Sequence, residues 1–465
     1  MFRQVDYVTN KVITTNDIGL LINLDLVLQK LVDLVQFLNV PLIGMMRARC
    51  NLERVNLSFI TSVFLASVAV LFISLEMPKV FARDRQIFKV KLGFMGTGLQ
   101  KGSYETNRNV ETPHINSQKT QYLDTISASH ERANATFYTL CRNEELYQML
   151  ETVQNYEDRF NSKFKYDWVF LNDYPFTDEF KRVISNAVSG EAKFGQVPAS
   201  HWRFPDHIDQ QKVYELMDKM DSENTTGDYL GLPIPYAKSI SYRHMCRYQS
   251  GFFYKHELLQ GYKYFWRVEP DVRLYCDIDY DVFKSMEQNG KRYGFAISMM
   301  EFEKTIESLF KEVKNYLHMN GVSQLLNGTD NLSDFVYDEL SDDYTLCHFW
   351  SNFEIGDLDF FRGREYNELF NYLDSKGGFY YERWGDAPIH SIAVSLFMQW
   401  DDIKWFSDIG YRHPPYLSCP LSEEVRLEKK CSCDPSQDFT MDAYSCTRFY
   451  QDIVKDKQKS QGGNF

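Results

Sequence analysis

The run Tyr264-Phe-Trp-Arg-Val-Glu-Pro-Asp271 passes from apolar, strand-forming residues straight into two acids flanking a proline. Carboxylates at a strand end can hold a hard divalent cation, and a cation seated against a diphosphate needs few protein ligands because phosphate oxygens supply the rest. Glu269 and Asp271 suit that task, although a proline turn with two solvated acids explains the three-residue motif equally well. A second acidic run, Asp277-Ile-Asp279-Tyr-Asp281, would place its carboxylates on one face of a strand. Its ordinary reading is a solvated strand or loop, with Asp279 a secondary ligand candidate. His390 opens an apolar run through Phe397, which suits a helix-capping or core-edge histidine better than a ligand.

The elements that must position these groups alternate in type. Ala135 to Leu140 and Tyr166 to Leu171 read as strands, and about Glu144 to Phe160 and Thr177 to Val188 as helices. Such alternation predicts an α/β fold with a largely parallel sheet covered by helices and ligands bound beyond the carboxyl ends of the strands. There is no internal repeat, P-loop or G-x-G-x-x-G pattern.

The 465 residues are 44% hydrophobic and 15% aromatic, ample for a large core, and the aromatic excess suits carbohydrate handling. A formal charge of -13 argues against a nucleic-acid surface, which needs clustered Lys and Arg. Residues 55–75 carry no charge and are long enough to cross a hydrocarbon core of roughly 30 Å. We read them as a single membrane-spanning helix after a cytosolic tail over 1–54. Residues 76–133 read as a polar stalk, 134–455 as the folded domain and 456–465 as a polar tail. Translation from Met45 or Met46 would leave a short basic tail; the alternative is an amphipathic helix rich in Leu and Val within the longer one. Eight of nine cysteines and the sequons at Asn134, Asn224, Asn327 and Asn331 follow the span, as expected for an oxidising lumen. Cys431-Ser-Cys433 lacks a second pair at zinc spacing, so disulfides are expected, with connectivity open.

Four further motifs accompany the Glu-Pro-Asp turn in order: Tyr242-Arg-His-Met-Cys-Arg-Tyr-Gln-Ser-Gly251, Leu346-Cys-His-Phe-Trp-Ser-Asn-Phe-Glu-Ile-Gly-Asp357, Tyr381-Glu-Arg-Trp-Gly-Asp-Ala-Pro-Ile-His390 and Ile409-Gly-Tyr-Arg-His-Pro-Pro415. Together, from about Asn134 to Tyr450, they closely resemble the fungal Golgi α-1,2-mannosyltransferase family, glycosyltransferase family 15. The resemblance implies a GT-A-like nucleotide-binding fold with a mixed, mostly parallel central sheet on a single-pass type II Golgi anchor. It also implies GDP-mannose as donor, Mn²⁺ as cofactor, mannosylated glycoproteins as acceptors and transfer with retention to form α-1,2 linkages.

Carried onto this chain, the resemblance makes Glu269 and His413 the metal ligands, a carboxylate and an imidazole that suit Mn²⁺. Asp271, Asp279 and His390 are the secondary candidates. Retaining transfer passes through an oxocarbenium-like transition state, and a carboxylate opposite the leaving group can form a glycosyl-enzyme or stabilise positive charge. Glu354 is the candidate; front-face attack without a nucleophile is the alternative. Tyr242 and Arg267 are expected at the reacting oxygens and phosphate, Arg142 and Asn143 at the guanosine, and Asp386 at acceptor hydroxyls. Packing, ion-pairing and turn-forming roles are the ordinary alternatives for these side chains. A lumenal glycoside hydrolase would use paired carboxylates but need neither GDP nor Mn²⁺. A non-catalytic mannan-binding member would have lost Glu269, Glu354 or His413, and all three are present.

Overall fold

The computed structural model describes residues 132–223 and 234–460. The predicted span, the tail before it, the stalk up to residue 131 and the Asn224 sequon lie outside the described residues. Among the described residues no helix is long and apolar enough to cross a membrane.

The chain opens with β1 (Ala135–Leu140), helix α1 (Leu146–Tyr156), β2 (Asp167–Asn172), α2 (Asp178–Ser185) and β3 (Ala192–Gln196). Helix α3 (Ile240–Gly251) precedes β4 (Tyr264–Arg267), and β5 (Arg273–Leu274), α4 (Val282–Gln288), β6 (Tyr293–Phe295) and β7 (Ser298–Met300) follow. A short hairpin, β8 (Tyr337–Asp338) and β9 (Asp343–Tyr344), leads to β10 (Cys347–Phe349) and β11 (Glu354–Asp357). Helices α5 (Arg364–Lys376) and α6 (Asp386–Phe397), strands β12 (Ile403–Trp405), β13 (Tyr411–His413) and β14 (Tyr416–Ser418), and helix α7 (Thr447–Ser460) complete the order.

Seven strands form the central sheet in the order β12-β6-β11-β4-β1-β2-β3. All neighbours are parallel except β11, which runs antiparallel to both β4 and β6. The sheet is mixed and mostly parallel, as expected. Its strands are apolar on both sides, and successive residues enter opposite layers: Phe137 and Trp266 pack in one core, Tyr138 and Phe265 in the other. Phe137 stacks on Trp168 at 4.3 Å between ring centres. A smaller sheet, β14-β13-β5, stands beside the main one.

Helix starts follow local chemistry. Thr177 caps α2 by accepting from Phe180 N, Ser239 caps α3 from Tyr242 N, and Asp281 caps α4 from Lys284 N. Such caps satisfy amides with no partner inside the helix. Asp281 is therefore a cap that also accepts from the Tyr166 hydroxyl. The acidic run it closes is not a strand: Asp277 pairs with Arg159 at 2.5 Å and Asp279 with Lys429 at 2.6 Å.

Two expected boundaries shift. Helix α6 begins at Asp386, four residues before His390, because Pro388 falls in the first turn, where its missing N–H costs nothing. Helix α7 continues through Ser460, so residues 456–460, read as tail, are helical, and Lys457 pairs with Asp334 at 3.0 Å.

Three disulfides form among the described residues: Cys276–Cys431, Cys347–Cys446 and Cys419–Cys433. Cys431 and Cys433 thus have different partners, which removes a zinc reading, and Cys141 and Cys246 are buried thiols. Asn134 and Asn327 are exposed, but Asn331 is buried and donates to Leu325 O and Leu396 O.

Candidate active site

Strand β1 ends at a cavity of about 290 Å³ whose wall includes Arg142, Asn172, Asp173, Tyr242, Gln249 and Glu269. These come from the residues just after β1 and β4, from the end of β2 and from α3. This is where an α/β sheet places ligands, because strand ends leave side chains and amides that no neighbouring strand consumes. Tyr242, Met245 and Gln249 are spaced three and four apart and so share one face of α3, all on the cavity.

Glu269 sits just past β4, and its two oxygens have different duties. Arg267 Nε and Nη2 donate to Oε1 at 3.1 and 2.5 Å. Oε2 faces His413 Nε2 at 3.7 Å, too long for a hydrogen bond. His413 Nδ1 lies 2.9 Å from Pro414 O, which can only accept, so Nδ1 carries hydrogen and the neutral ring turns the Nε2 lone pair towards Glu269. Metal-ligating histidines use this arrangement, the far nitrogen donating to a carbonyl while the near one ligates. The 3.7 Å gap compares with the roughly 3 Å between adjacent ligands of a small octahedral cation. Both side chains remain 27% exposed, so other ligands can approach. Burial works against ionisation of Glu269, but the Arg267 guanidinium outweighs it and holds the carboxyl below the usual carboxylate range. The pair therefore fits a divalent cation whose remaining ligands come from elsewhere. No group of three or more His, Cys, Asp or Glu suited to a metal exists among the described residues.

Arg267 is buried and carries a second carboxylate: Nη1 donates to Asp386 Oδ2 at 2.5 Å, where Ser351 Oγ also donates at 2.8 Å. Asp386 is thus a buried counter-ion at the start of α6, not a turn residue open to acceptor hydroxyls. Burial opposes its charge, and Arg267 more than compensates, keeping it below the usual carboxylate value.

Arg142 is exposed at the cavity mouth, with Nη2 donating to Ser241 Oγ at 2.8 Å. Asn143 does not line the cavity; its amide donates to Pro175 O and accepts from Thr177 N, bracing the loop before α2. Tyr242 stacks on Tyr236 at 4.4 Å and lies under the Arg383 guanidinium at 5.3 Å. Burial lifts its phenol far above the ordinary range, so it stays a hydrogen-bond donor. Asp271 is exposed, at φ 67°, and does not line the cavity. Asp279 is held by Lys429, and His390 is wholly buried against Glu354 rather than at the core edge. Glu354 is itself fully buried and lines no part of the cavity.

The sequence matches the glycolipid 2-alpha-mannosyltransferase family over residues 97–455. The chain belongs to that family. The match begins inside the segment read as a stalk. Alpha-1,2 mannosyltransferase KTR1 of Saccharomyces cerevisiae is 51% identical over 324 residues, 70% of this chain and 79% of that protein. Glycolipid 2-alpha-mannosyltransferase 1 of Candida albicans is 48% identical, covering 71% and 74%. Core-mannan synthase A of Aspergillus fumigatus, solved in a Mn/GDP form, superposes with TM-score 0.61 at 43% identity, covering 67% of this chain and 81% of that one. The S. cerevisiae mannosyltransferase Ktr4p in complex with GDP gives TM-score 0.61 at 32% identity, covering 76% and 94%. This mannosyltransferase-family chain is a glycosyltransferase, and two of the motifs that suggested the family, those of Tyr242–Gly251 and the Glu-Pro-Asp turn, contribute to the cavity wall.

Sequence reasoning missed Gln249, Asn172, Asp173 and Tyr236 as cavity residues. The three-and-four spacing from Tyr242 could have found Gln249. Tyr236, at φ 58°, depends on a left-handed turn that composition does not announce.

Proposed function

We propose that this protein transfers mannose from GDP-mannose to mannosyl acceptors on protein-linked O- or N-glycans, forming α-1,2 linkages with retention in a Mn²⁺-dependent reaction. The supporting observation is one cavity that gathers Arg142, Tyr242 and Glu269, with His413 presenting its lone pair to the free oxygen of Glu269. Glu269 and His413 would hold the cation, which when bound supplies positive charge at the donor diphosphate. Arg267 fixes the Glu269 carboxylate in one rotamer and keeps it ionised. Asp386 contributes through Arg267, since its carboxylate is consumed there. Tyr242 offers a protonated hydroxyl to a leaving or attacking oxygen, and Arg142, tethered by Ser241, offers a guanidinium to the nucleotide.

The three disulfides agree with a domain matured in an oxidising compartment, as a type II Golgi anchor through 55–75 would provide. The assay is the full chain with GDP-mannose and α-methyl-mannoside, with Mn²⁺ or with chelator, and the product linkage read by NMR. An α-1,2 disaccharide formed only with metal supports the donor, the reaction and its stereochemistry together. Release of free mannose from mannan without GDP would replace it with hydrolysis, and GDP binding without product in the presence of natural glycan acceptors would replace it with a binding role.

A further inference from the structure

Glu354 and His390 meet where neither can be seen from solvent, on β11 and α6. His390 Nδ1 lies 2.7 Å from Glu354 Oε1, and His390 Nε2 lies 3.1 Å from the backbone oxygen of Gln249. A backbone carbonyl has no hydrogen to give, so Nε2 must carry one. The short contact at Nδ1 then also needs a hydrogen. Either the ring is doubly protonated beside a carboxylate, or a neutral ring accepts from a carboxylic acid. Both arrangements place one proton between the two side chains, and both leave the pair with no net charge. Around it, one guanidinium, Arg267, already faces two carboxylates, Glu269 and Asp386. A third uncompensated carboxylate in the same buried region would be costly to form, because charge removed from water needs a partner.

The carbonyl that His390 engages lies in the last turn of α3, where helix carbonyls lack intrahelical partners and a donor is favourable. Gln249 is itself on the cavity wall, its side-chain oxygen accepting from Tyr138 at 3.0 Å. One helical face thus runs from the Glu354–His390 pair through Gln249 to Tyr242.

We propose that Glu354 and His390 share a single proton as a buried neutral pair, and that the pair acts as a positioning unit that fixes Gln249 and the cavity face of α3, with Glu354 never bonding to the sugar. The proposal rests on the transfer reading given above. Retention then follows from attack on the donor face that GDP leaves: the acceptor oxygen bonds to the anomeric carbon as the bond to the diphosphate breaks, and the acceptor proton passes to the departing phosphate oxygen.

Glutamine at position 354 distinguishes the two roles. Its amide N–H can donate to Nδ1 of a neutral His390, so the hydrogen bond survives while the carboxylate nucleophile is gone. The full-length enzyme and its Glu354→Gln, Glu354→Leu, His390→Leu and doubly substituted Glu354→Leu/His390→Leu forms are compared for kcat and KM on GDP-mannose and for GDP binding by calorimetry. Glu354→Gln is expected to keep kcat within about tenfold of the parent, with the two leucine singles falling well below it and the double no worse than either single, as for residues acting as one unit. Loss of kcat by about a thousandfold or more in Glu354→Gln with GDP binding intact, or a mannosylated Glu354 peptide by mass spectrometry, would overturn the proposal. If the parent itself transfers no mannose, the transfer reading fails first, which separates the two outcomes.

Discussion

Arg267 divides one guanidinium between Glu269 and Asp386, and the site depends on that division. Replacing it with alanine leaves two carboxylates without their cation in a buried position, a change that costs about 3–5 kcal/mol. Thermal unfolding of Arg267→Ala should show that loss. Arg267→Lys, a point charge without the planar fork, should recover only part of it. His413 makes no hydrogen bond to this network, lying 3.7 Å from the second Glu269 oxygen, and in the proposed reading its task is the metal. His413→Ala should leave the unfolding temperature nearly unchanged while raising the Mn²⁺ concentration for half-maximal activity at least about tenfold, measured by titration of chelator-treated enzyme. The carboxylates were legible in the sequence because strand-ending acids are conspicuous. Their partners were not: Glu354 and His390 are 36 positions apart, and nothing local marks a histidine whose two nitrogens are both engaged inside the core. Asp386 was misjudged for a related reason, since a Gly-Asp-Ala-Pro string looks like a turn until Arg267 arrives from another element.

Helix α3 carries a pH dependence. Burial, helped by the nearby Arg247 charge, depresses the His244 ring to about 4, and burial also lowers His201 and His348. In the unfolded chain such rings titrate near about 6.5. Between those values the unfolded state binds more protons than the folded one, so stability is complete above about pH 6.5 and declines as pH falls towards 4. The slope from His244 is at most about 1.4 kcal/mol per pH unit. Chemical denaturation between pH 7 and 5 should register the decline, and His244→Gln, which can keep a bond like the one between His244 Nδ1 and the Tyr380 hydroxyl at 2.9 Å, should flatten it. Strand β13 shows a different constraint. Gly410, just before it, sits at φ +65°, and a Cβ there would come within 2.6 Å of Cys276 Sγ. Gly410→Ala should therefore cost about 1–2 kcal/mol from the left-handed backbone alone, and more from the sulfur contact. Because His413 lies three residues on, the same variant should bind Mn²⁺ more weakly. The element types along β1, α1, β2 and α2 were readable from periodicity, since each packs a simple apolar face. The antiparallel β11 and the small β14-β13-β5 sheet were not, because strands of two to four residues carry too few positions to display a period.

At the scale of the molecule, the closing segments are held to the body by sulfur. Cys347–Cys446 closes 99 residues of sequence and Cys276–Cys431 closes 155. Cross-links over such lengths restrict the unfolded chain, with removal costing about 2–5 kcal/mol. The doubly substituted Cys347→Ser/Cys446→Ser protein should accordingly unfold earlier and accumulate poorly, as measured by denaturation and by yield. Sequence indicated an oxidised domain but not the pairing, which depends on how β7 and β10 bring Cys347 to the start of α7.

The two residues proposed to hold the cation belong to separate sheets. Glu269 lies two residues beyond a strand of the large one, and His413 ends a strand of the small one, which includes β5, close to Cys276. Pairing of β13 with β5, continued by bonds from Tyr275 N to Gly410 O and from Cys276 N to Ile409 O, ties the His413 strand to the segment that follows Glu269, and the Cys276–Cys431 bond closes onto the same segment. The spacing of imidazole and carboxylate is thus a matter of strand registry: a slip of one residue there would part the two groups while leaving each of them intact.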